Sequence, residues 1–288
     1  MQTALATLAL IGVTVVWGWT FVIVRDAVAV YGIVAFLSLR FALATAAVVP
    51  FWGRRLDRKT LRAGLGIGLV LAAGYLLQTW GLRFTTATNS GLITGLFVVL
   101  APIADRLING THLPRSSAAA VLLSVIGMVL LTGRAPTSLA IGDLLTLGCA
   151  VAFGVHIALL SRYAPRHDPG ALTAAQMISV VAVFTVAWPA TEPLTAPPPQ
   201  VWHAIVITGL LASALAYFIQ TAAQRHLSAA RTAVILTMEP VFAGFFGFIL
   251  AGERLRELQW LGAALILCAL LVAEVLPALS MRHRRSGL

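Results

Sequence analysis

Tyr75, Gln78 and Thr79 stand at positions i, i+3 and i+4, a spacing that puts all three on one face of a helix. The same trio recurs as Tyr217, Gln220 and Thr221. An amide and a hydroxyl beside a phenol ring can hold a polar ligand by hydrogen bonds and offer it an aromatic wall. The same groups also bond helices to one another inside a membrane. The cavity wall is the favoured reading, because bonding between helices alone does not require a duplicated tyrosine.

Other side chains add to this picture. Trp17 and Thr20 lie three apart on one helix face. Trp17 sits about 20 Å into its apolar run at 1.5 Å per residue, a depth that counts against an interfacial anchor and leaves cavity lining and anchoring both open. Trp52 and Trp188, near the ends of apolar runs, suit that belt better. His156 lies in the middle of an apolar run, where a neutral imidazole can bind substrate, relay a proton or bond to another helix. Thr94, with Asn89 and Ser90, is expected at a cavity entrance or a helix cap. Arg40 and Glu239 are the charges set deepest in the apolar runs, and such charges are normally paired or functional. Glu239 is either a proton-coupling site or a structural group. The structural role is favoured for both charges. Pro240 frees a carbonyl and kinks its helix, which suits a gate hinge, and Pro102 is the related proline in the first half.

None of these groups forms a catalytic constellation. HExxH does not occur, and Asp105 and Asp143 lie near run ends without a Gly-x-Gly-Asp context. Gly64-Leu65-Gly66-Ile67-Gly68 lacks the lysine of a phosphate loop. Cys149 and Cys268 lie in apolar runs without metal-ligand spacing and read as buried, inert thiols. No catalytic residue, metal or cofactor is expected. An intramembrane enzyme and a non-transporting scaffold or channel remain the alternatives to a carrier.

The elements that must position these residues follow from composition. Of 288 residues 59% are apolar and 10% charged, and the mean hydropathy is +0.93. An ordinary soluble domain carries about 25% charged residues, so a soluble enzyme and a disordered chain are excluded. Continuous apolar runs also exclude a transmembrane barrel, whose strands alternate. The chain is therefore all-α and polytopic. With about 20 apolar residues needed per crossing, ten spans are expected, at about 4–24, 32–52, 62–82, 88–108, 116–133, 142–162, 171–190, 202–222, 231–251 and 258–278. The first run lacks a basic start and reads as a span, not a cleavable signal. The net charge of +10 belongs to topology and not to nucleic acid. With the N-terminus in the cytoplasm, fourteen Lys and Arg fall in inside connections and five outside, which favours both termini inside.

The chain also repeats itself. Tyr75–Thr79 matches Tyr217–Thr221 and Asn109-Gly110 matches Ala251-Gly252, both at an offset of 142, while Trp17–Thr20 matches Phe153–His156 at 136. Two units of five spans, about 1–135 and 136–288, must lie upside down to one another because five is odd. Inverted repeats are typical of secondary transporters, with the substrate near the midplane between them.

Here the chain resembles the EamA family of the drug/metabolite transporter superfamily over nearly its whole length. The resemblance rests on Val16-Trp17-Gly18, Leu39-Arg40-Phe41, Gly142-Asp143-Leu144, Glu239-Pro240-Val241-Phe242 and Gly252-Glu253-Arg254-Leu255. The first half departs from the last motif, reading Gly110-Thr111-His112-Leu113, and its Pro102 stands four positions later than the repeat places the equivalent of Pro240. The resemblance implies a transporter of small metabolites, often an exporter of amino acids, with relatives of the YddG type that export aromatic amino acids. Together with the residues above it leads us to expect an alternating-access carrier in a bacterial-type inner membrane. Its partners are a small-molecule substrate and the lipid bilayer, and aromatic or bulky apolar amino acids are favoured by the aromatic residues near the expected cavity.

Overall fold

The computed structural model describes residues 2–85, 87–112, 115–132 and 141–252, together with 256–258, 260–262, 264–269 and 272. Among the described residues there are helices and no strands. They are α1 (Gln2–Val30), α2 (Ile33–Trp52), α3 (Arg58–Gly81), α4 (Ala87–Thr94), α5 (Phe97–Asn109) and α6 (Arg115–Thr132). There follow α7 (Ile141–Tyr163), α8 (Pro169–Thr191), α9 (Pro199–Gly209), a π-helical turn (Leu210–Leu215), α10 (Ala216–Ala223), α11 (Ala229–Leu236) and α12 (Met238–Ala251).

Among the described residues seven stretches are long and apolar enough to cross a bilayer: Gln2–Val30, Ile33–Arg55, Arg58–Gly81, Ile141–Arg166, Pro169–Thr191, Pro199–Ala223 and Ala229–Leu250. The expected span at 88–108 is divided into α4 and α5, and the one at 116–133 corresponds to α6. Much of the span at 258–278, with the motif residues Glu253, Arg254 and Leu255, lies outside the described residues. The helices are apolar inside and out. Phe36, Phe41, Phe97 and Phe184 fill the interior, while Leu5, Phe51, Leu107 and Val186 are exposed on the outer surface. A helix apolar all round is stable where lipid replaces water. Cys149 is buried as expected, but Cys268 is exposed on this apolar exterior and is not a core thiol.

The helix ends follow local chemistry. Asp57 accepts from the Thr60 N–H at 2.6 Å, which holds its carboxyl below the usual carboxylate range and starts α3. Asp168 caps α8 in the same way through Ala171. α2 has no cap of its own, and the Glu192 carboxylate at the end of α8 accepts from Val34 and Ala35 instead. α5 and α12 both end on a left-handed glycine, Gly110 at φ 68° and Gly252 at φ 67°.

Helices approach closely where side chains vanish. A Cβ on Gly18 of α1 would lie 2.6 Å from Phe242 Cβ and 2.7 Å from the Ala243 nitrogen of α12. A Cβ on Gly154 of α7 would lie 2.9 Å from Leu100 Cβ and 3.1 Å from the Ala101 nitrogen of α5. Such small-residue crossings bring membrane helices together by van der Waals packing. Gly18→Ala should therefore destabilise the protein by about 1–3 kcal/mol through overpacking. Gly12, on the same helix, has open space around its Cβ position. Thermal unfolding in detergent should show a lowered midpoint for Gly18→Ala and not for Gly12→Ala; equal midpoints would refute the close crossing.

Two helix breaks lie near the centre. α11 stops at Leu236, the residue whose carbonyl the Pro240 ring would strike, and α12 resumes after Thr237. In the first half the break falls at Gly95-Leu96, 142 residues before Thr237. Pro102 is not at that break: it lies inside α5, seven residues past Gly95. A third irregularity is a π-helical turn. The residues preceding α3 and α9, Asp57 and Pro198, are 141 apart, whereas Tyr75 and Tyr217 are 142 apart. The turn at Leu210–Leu215 lies between these points and takes up the extra residue.

Candidate functional site

A cavity lies where α1, α2, α3, α5, α7, α10, α11 and α12 converge. Among the residues singled out from the sequence, Trp17, Thr20, Arg40, Tyr75, Gln78, His156, Tyr217, Gln220 and Glu239 line it, with Phe97 and Phe153. Thr79, Thr94 and Thr221 are buried but do not line it. Pro102 and Pro240 are also outside the lining. The volume open to the centre of a water-sized sphere is about 40 Å³, room for ordered water more than for a metabolite.

One hydrogen-bonded chain crosses the cavity between the two halves of the sequence. Arg40 donates from Nε to Ser213 Oγ at 2.8 Å and from Nη2 to Tyr75 Oη at 3.1 Å. Tyr217 Oη donates to Tyr75 Oη at 2.9 Å. The Arg40 guanidinium carbon lies 4.4 Å from the centre of the Tyr75 ring, a cation–π contact in a desolvated site. The two tyrosine rings meet edge to face with centroids 6.1 Å apart. Trp17 and His156 pack against Tyr217 at 5.4 and 5.6 Å. The Tyr-x-x-Gln-Thr faces of α3 and α10 therefore meet through their tyrosines.

Trp17 is anchored by the irregular turn. Its Nε1 donates to the carbonyl of Ala212 at 2.8 Å, within the π-helical segment that also presents Ser213 to Arg40. A widened turn exposes backbone carbonyls that a regular helix would use itself. Here the indole takes one, and the bond fixes the ring against the cavity.

The polar groups differ in how far they are satisfied. Thr20 donates to its own helix, at Trp17 O. Gln78 donates to Thr94 Oγ1 at 3.3 Å. His156 donates from Nε2 to the Gln176 amide oxygen at 2.8 Å, and Gln176 donates on to Thr221 Oγ1 at 3.4 Å. Gln220 donates to Gln224 Oε1 at 3.2 Å, yet its own Oε1 is buried without a partner. Among the described residues neither Arg40 nor Glu239 is ion-paired, although both are almost wholly buried.

Sequence reasoning missed Gln176, Ser213, Gln224 and Phe153 as site groups. A signal existed for two of them. Phe153 stands 136 residues after Trp17 and Gln176 stands 136 after Arg40, the offset already visible for the first span. Among the described residues no cluster of three or more His, Cys, Asp or Glu could hold a metal.

Comparison with known proteins agrees with this architecture. The chain is 34% identical over 276 residues to an uncharacterized transporter of Archaeoglobus fulgidus, covering 94% of this chain and 86% of that protein. It is 24% identical to the uncharacterized transporter YyaM of Bacillus subtilis, with 92% of each chain covered. A shorter match of 148 residues, 28% identical, joins it to the threonine/homoserine exporter RhtA of Salmonella typhimurium, covering 49% of this chain and 46% of that one. A crystal structure of a protein 18% identical in sequence superposes with a TM-score of 0.77 over 95% of this chain and 97% of that one, a likeness of fold. The three relatives matched in sequence are transporters and not enzymes. The EamA-like transporter family model matches twice, at residues 4–133 and 140–274, and this multi-pass membrane protein with its central polar cavity belongs to the EamA-like transporter family.

Proposed function

We propose that the chain is a ten-span secondary carrier that exports amino acids across a bacterial-type cytoplasmic membrane by alternating access, with aromatic or bulky apolar side chains favoured. In this reading residues 1–135 and 136–288 are inverted five-helix repeats, and both termini face the cytoplasm. The observation that carries it is the Tyr217–Tyr75 hydrogen bond of 2.9 Å. Groups related by a two-fold axis in the membrane plane come together only on that axis, which is where carriers of this kind hold substrate.

Further support comes from matched contacts. Gly18 against Phe242 and Gly154 against Leu100 are the same crossing at offsets of 136 and 142, and the breaks at Gly95 and Thr237 are also 142 apart. The narrow cavity suits a carrier that must rearrange around its substrate better than an open pore. The partial similarity to the threonine/homoserine exporter RhtA supports amino acid export, and the aromatic lining of Trp17, Phe97, Phe153 and Tyr217 supports a bulky side chain.

Counterflow in proteoliposomes tests the reading. Vesicles loaded with unlabelled amino acid should transiently accumulate the labelled form, with saturation. Unsaturated flux would indicate a channel, and no counterflow across a panel of labelled amino acids would reject the substrate class.

A further inference from the structure

Two ionisable side chains, one basic and one acidic, line the same cavity without pairing with each other. Arg40 is 3% exposed and Glu239 is 5% exposed. A guanidinium has five N–H donors. Arg40 uses Nε on Ser213 and Nη2 on Tyr75, which leaves Nη1 without an acceptor among the described residues. Glu239 has neither a hydrogen-bond donor nor a cation against it among the described residues. Tyr75 and Tyr217, joined to each other and through Tyr75 to Arg40, line the same cavity.

A buried charge without a partner is heavily penalised, and breaking a buried pair is among the most destabilising changes a protein can suffer. A guanidinium and a carboxyl that line one cavity unpaired therefore suit a ligand that brings the complement of each. A guanidinium recognises a carboxylate through paired N–H donors. A carboxylate recognises an ammonium, and Gln220, whose buried Oε1 has no partner, belongs to the lining of the same cavity.

We propose that Arg40 receives the carboxylate of the transported molecule and Glu239 its ammonium, so that the carrier selects a dipolar, net-neutral substrate over a simple anion or cation. The assignment rests on the central cavity being the transport site. It gives the two deep charges a role in recognition instead of a purely structural one. The aromatic walls then take the substrate's side chain.

The test uses two matched series on the purified full-length protein: leucine, 4-methylpentanoate and leucinamide, and phenylalanine, 3-phenylpropanoate and phenylalaninamide. Within each series the second compound lacks the ammonium and the third lacks the carboxylate. Ligand-dependent thermal stabilisation gives the affinities, and counterflow is measured on the same preparations. The amino acid should bind about tenfold to a hundredfold more tightly than either partial analogue, the range expected for one charge-assisted hydrogen-bonded pair. Arg40→Gln should erase the preference over the amide and keep the preference over the deaminated acid. Glu239→Gln should do the reverse. Arg40→Lys, which keeps the charge, should restore much of the first preference. A merely structural role would lower all three affinities together. If Arg40→Gln does not fold, the Glu239→Gln arm decides alone.

The proposal is overturned by a folded Glu239→Gln protein that keeps the wild-type ranking, or by wild-type protein that binds neither amino acid or binds the partial analogues equally well. Dipolar binding without counterflow would instead defeat the carrier reading and leave the charge assignment standing. Counterflow without charge discrimination would do the opposite.

Discussion

Replacing Tyr75 by phenylalanine should destabilise the protein more than replacing Tyr217, and the double replacement should be little worse than Tyr75→Phe alone. Tyr75 Oη takes the Arg40 Nη2 bond and the Tyr217 bond, so its loss removes both and leaves a buried guanidinium short of an acceptor. Tyr217→Phe removes one bond between neutral groups. A hydrogen bond to a charged group contributes about 1.5–3 kcal/mol and a neutral one about 0.5–1.5 kcal/mol. Tyr75→Phe should therefore cost about 2–4 kcal/mol and Tyr217→Phe about 1 kcal/mol. The chain joins residues of both halves, so each change should also shift the balance between conformations and with it the half-saturation for counterflow. Denaturation midpoints of the four proteins complete a double-mutant cycle. Strictly additive losses would mean that the two hydroxyls act separately and that no chain crosses the cavity.

The two cavity amides should respond unequally. Gln220 presents a buried oxygen with no partner, whereas Gln78 is tied to Thr94 and has no unpartnered buried atom. A ligand donor that meets Gln220 Oε1 satisfies a group otherwise left short, and an unpaired buried group costs about 1–3 kcal/mol. Gln220→Ala should weaken apparent affinity by about 5- to 150-fold from that range, with only a modest loss of stability from the Gln224 contact. Gln78→Ala should weaken affinity less. Half-saturation and thermal stability measured side by side separate the ligand-binding role from helix bonding. Normal affinity in Gln220→Ala would exclude the α10 face from the site.

The duplicated polar faces were legible in the sequence because helical periodicity groups residues by angle about their own axis. Tyr75 and Gln78 line the cavity, and so do Tyr217 and Gln220, but Thr79 and Thr221 on nearly the same faces do not. Their hydroxyls lie one step around the helix, where neighbouring side chains cover them; Thr221 meets Gln176 of α8. Gln176 itself was missed because it pairs with His156 across twenty residues of chain, a contact that no local pattern announces.

The positions of the helix breaks divide in the same way. Pro240 acts through its own covalent ring on the carbonyl four residues earlier, so a break near Leu236 follows from sequence. Pro102 obeys the same rule at Val98, yet the first-half break falls at Gly95-Leu96. There the packing of α4 against α12 and α7 accompanies the break, and glycine lets the helix yield. The π-helical turn was likewise hidden. Its signature is a change in repeat offset from 141 to 142, which has meaning only once the starts of α3 and α9 are known.

By itself the sequence determined the membrane environment, most of the long helices and the depth of Arg40 and Glu239. All three depend on the transfer of side chains from water to lipid, which is additive along the chain. Only the tertiary structure decided that Arg40 reaches Ser213 and Tyr75 but, among the described residues, no carboxylate, and that Glu239 lines the same cavity with no ion pair among those residues. Partnership depends on distance and direction between helices. Those are set by close crossings such as Gly18 on Phe242 and by the extra residue in the π-helical turn, neither of which the hydropathy of a segment encodes.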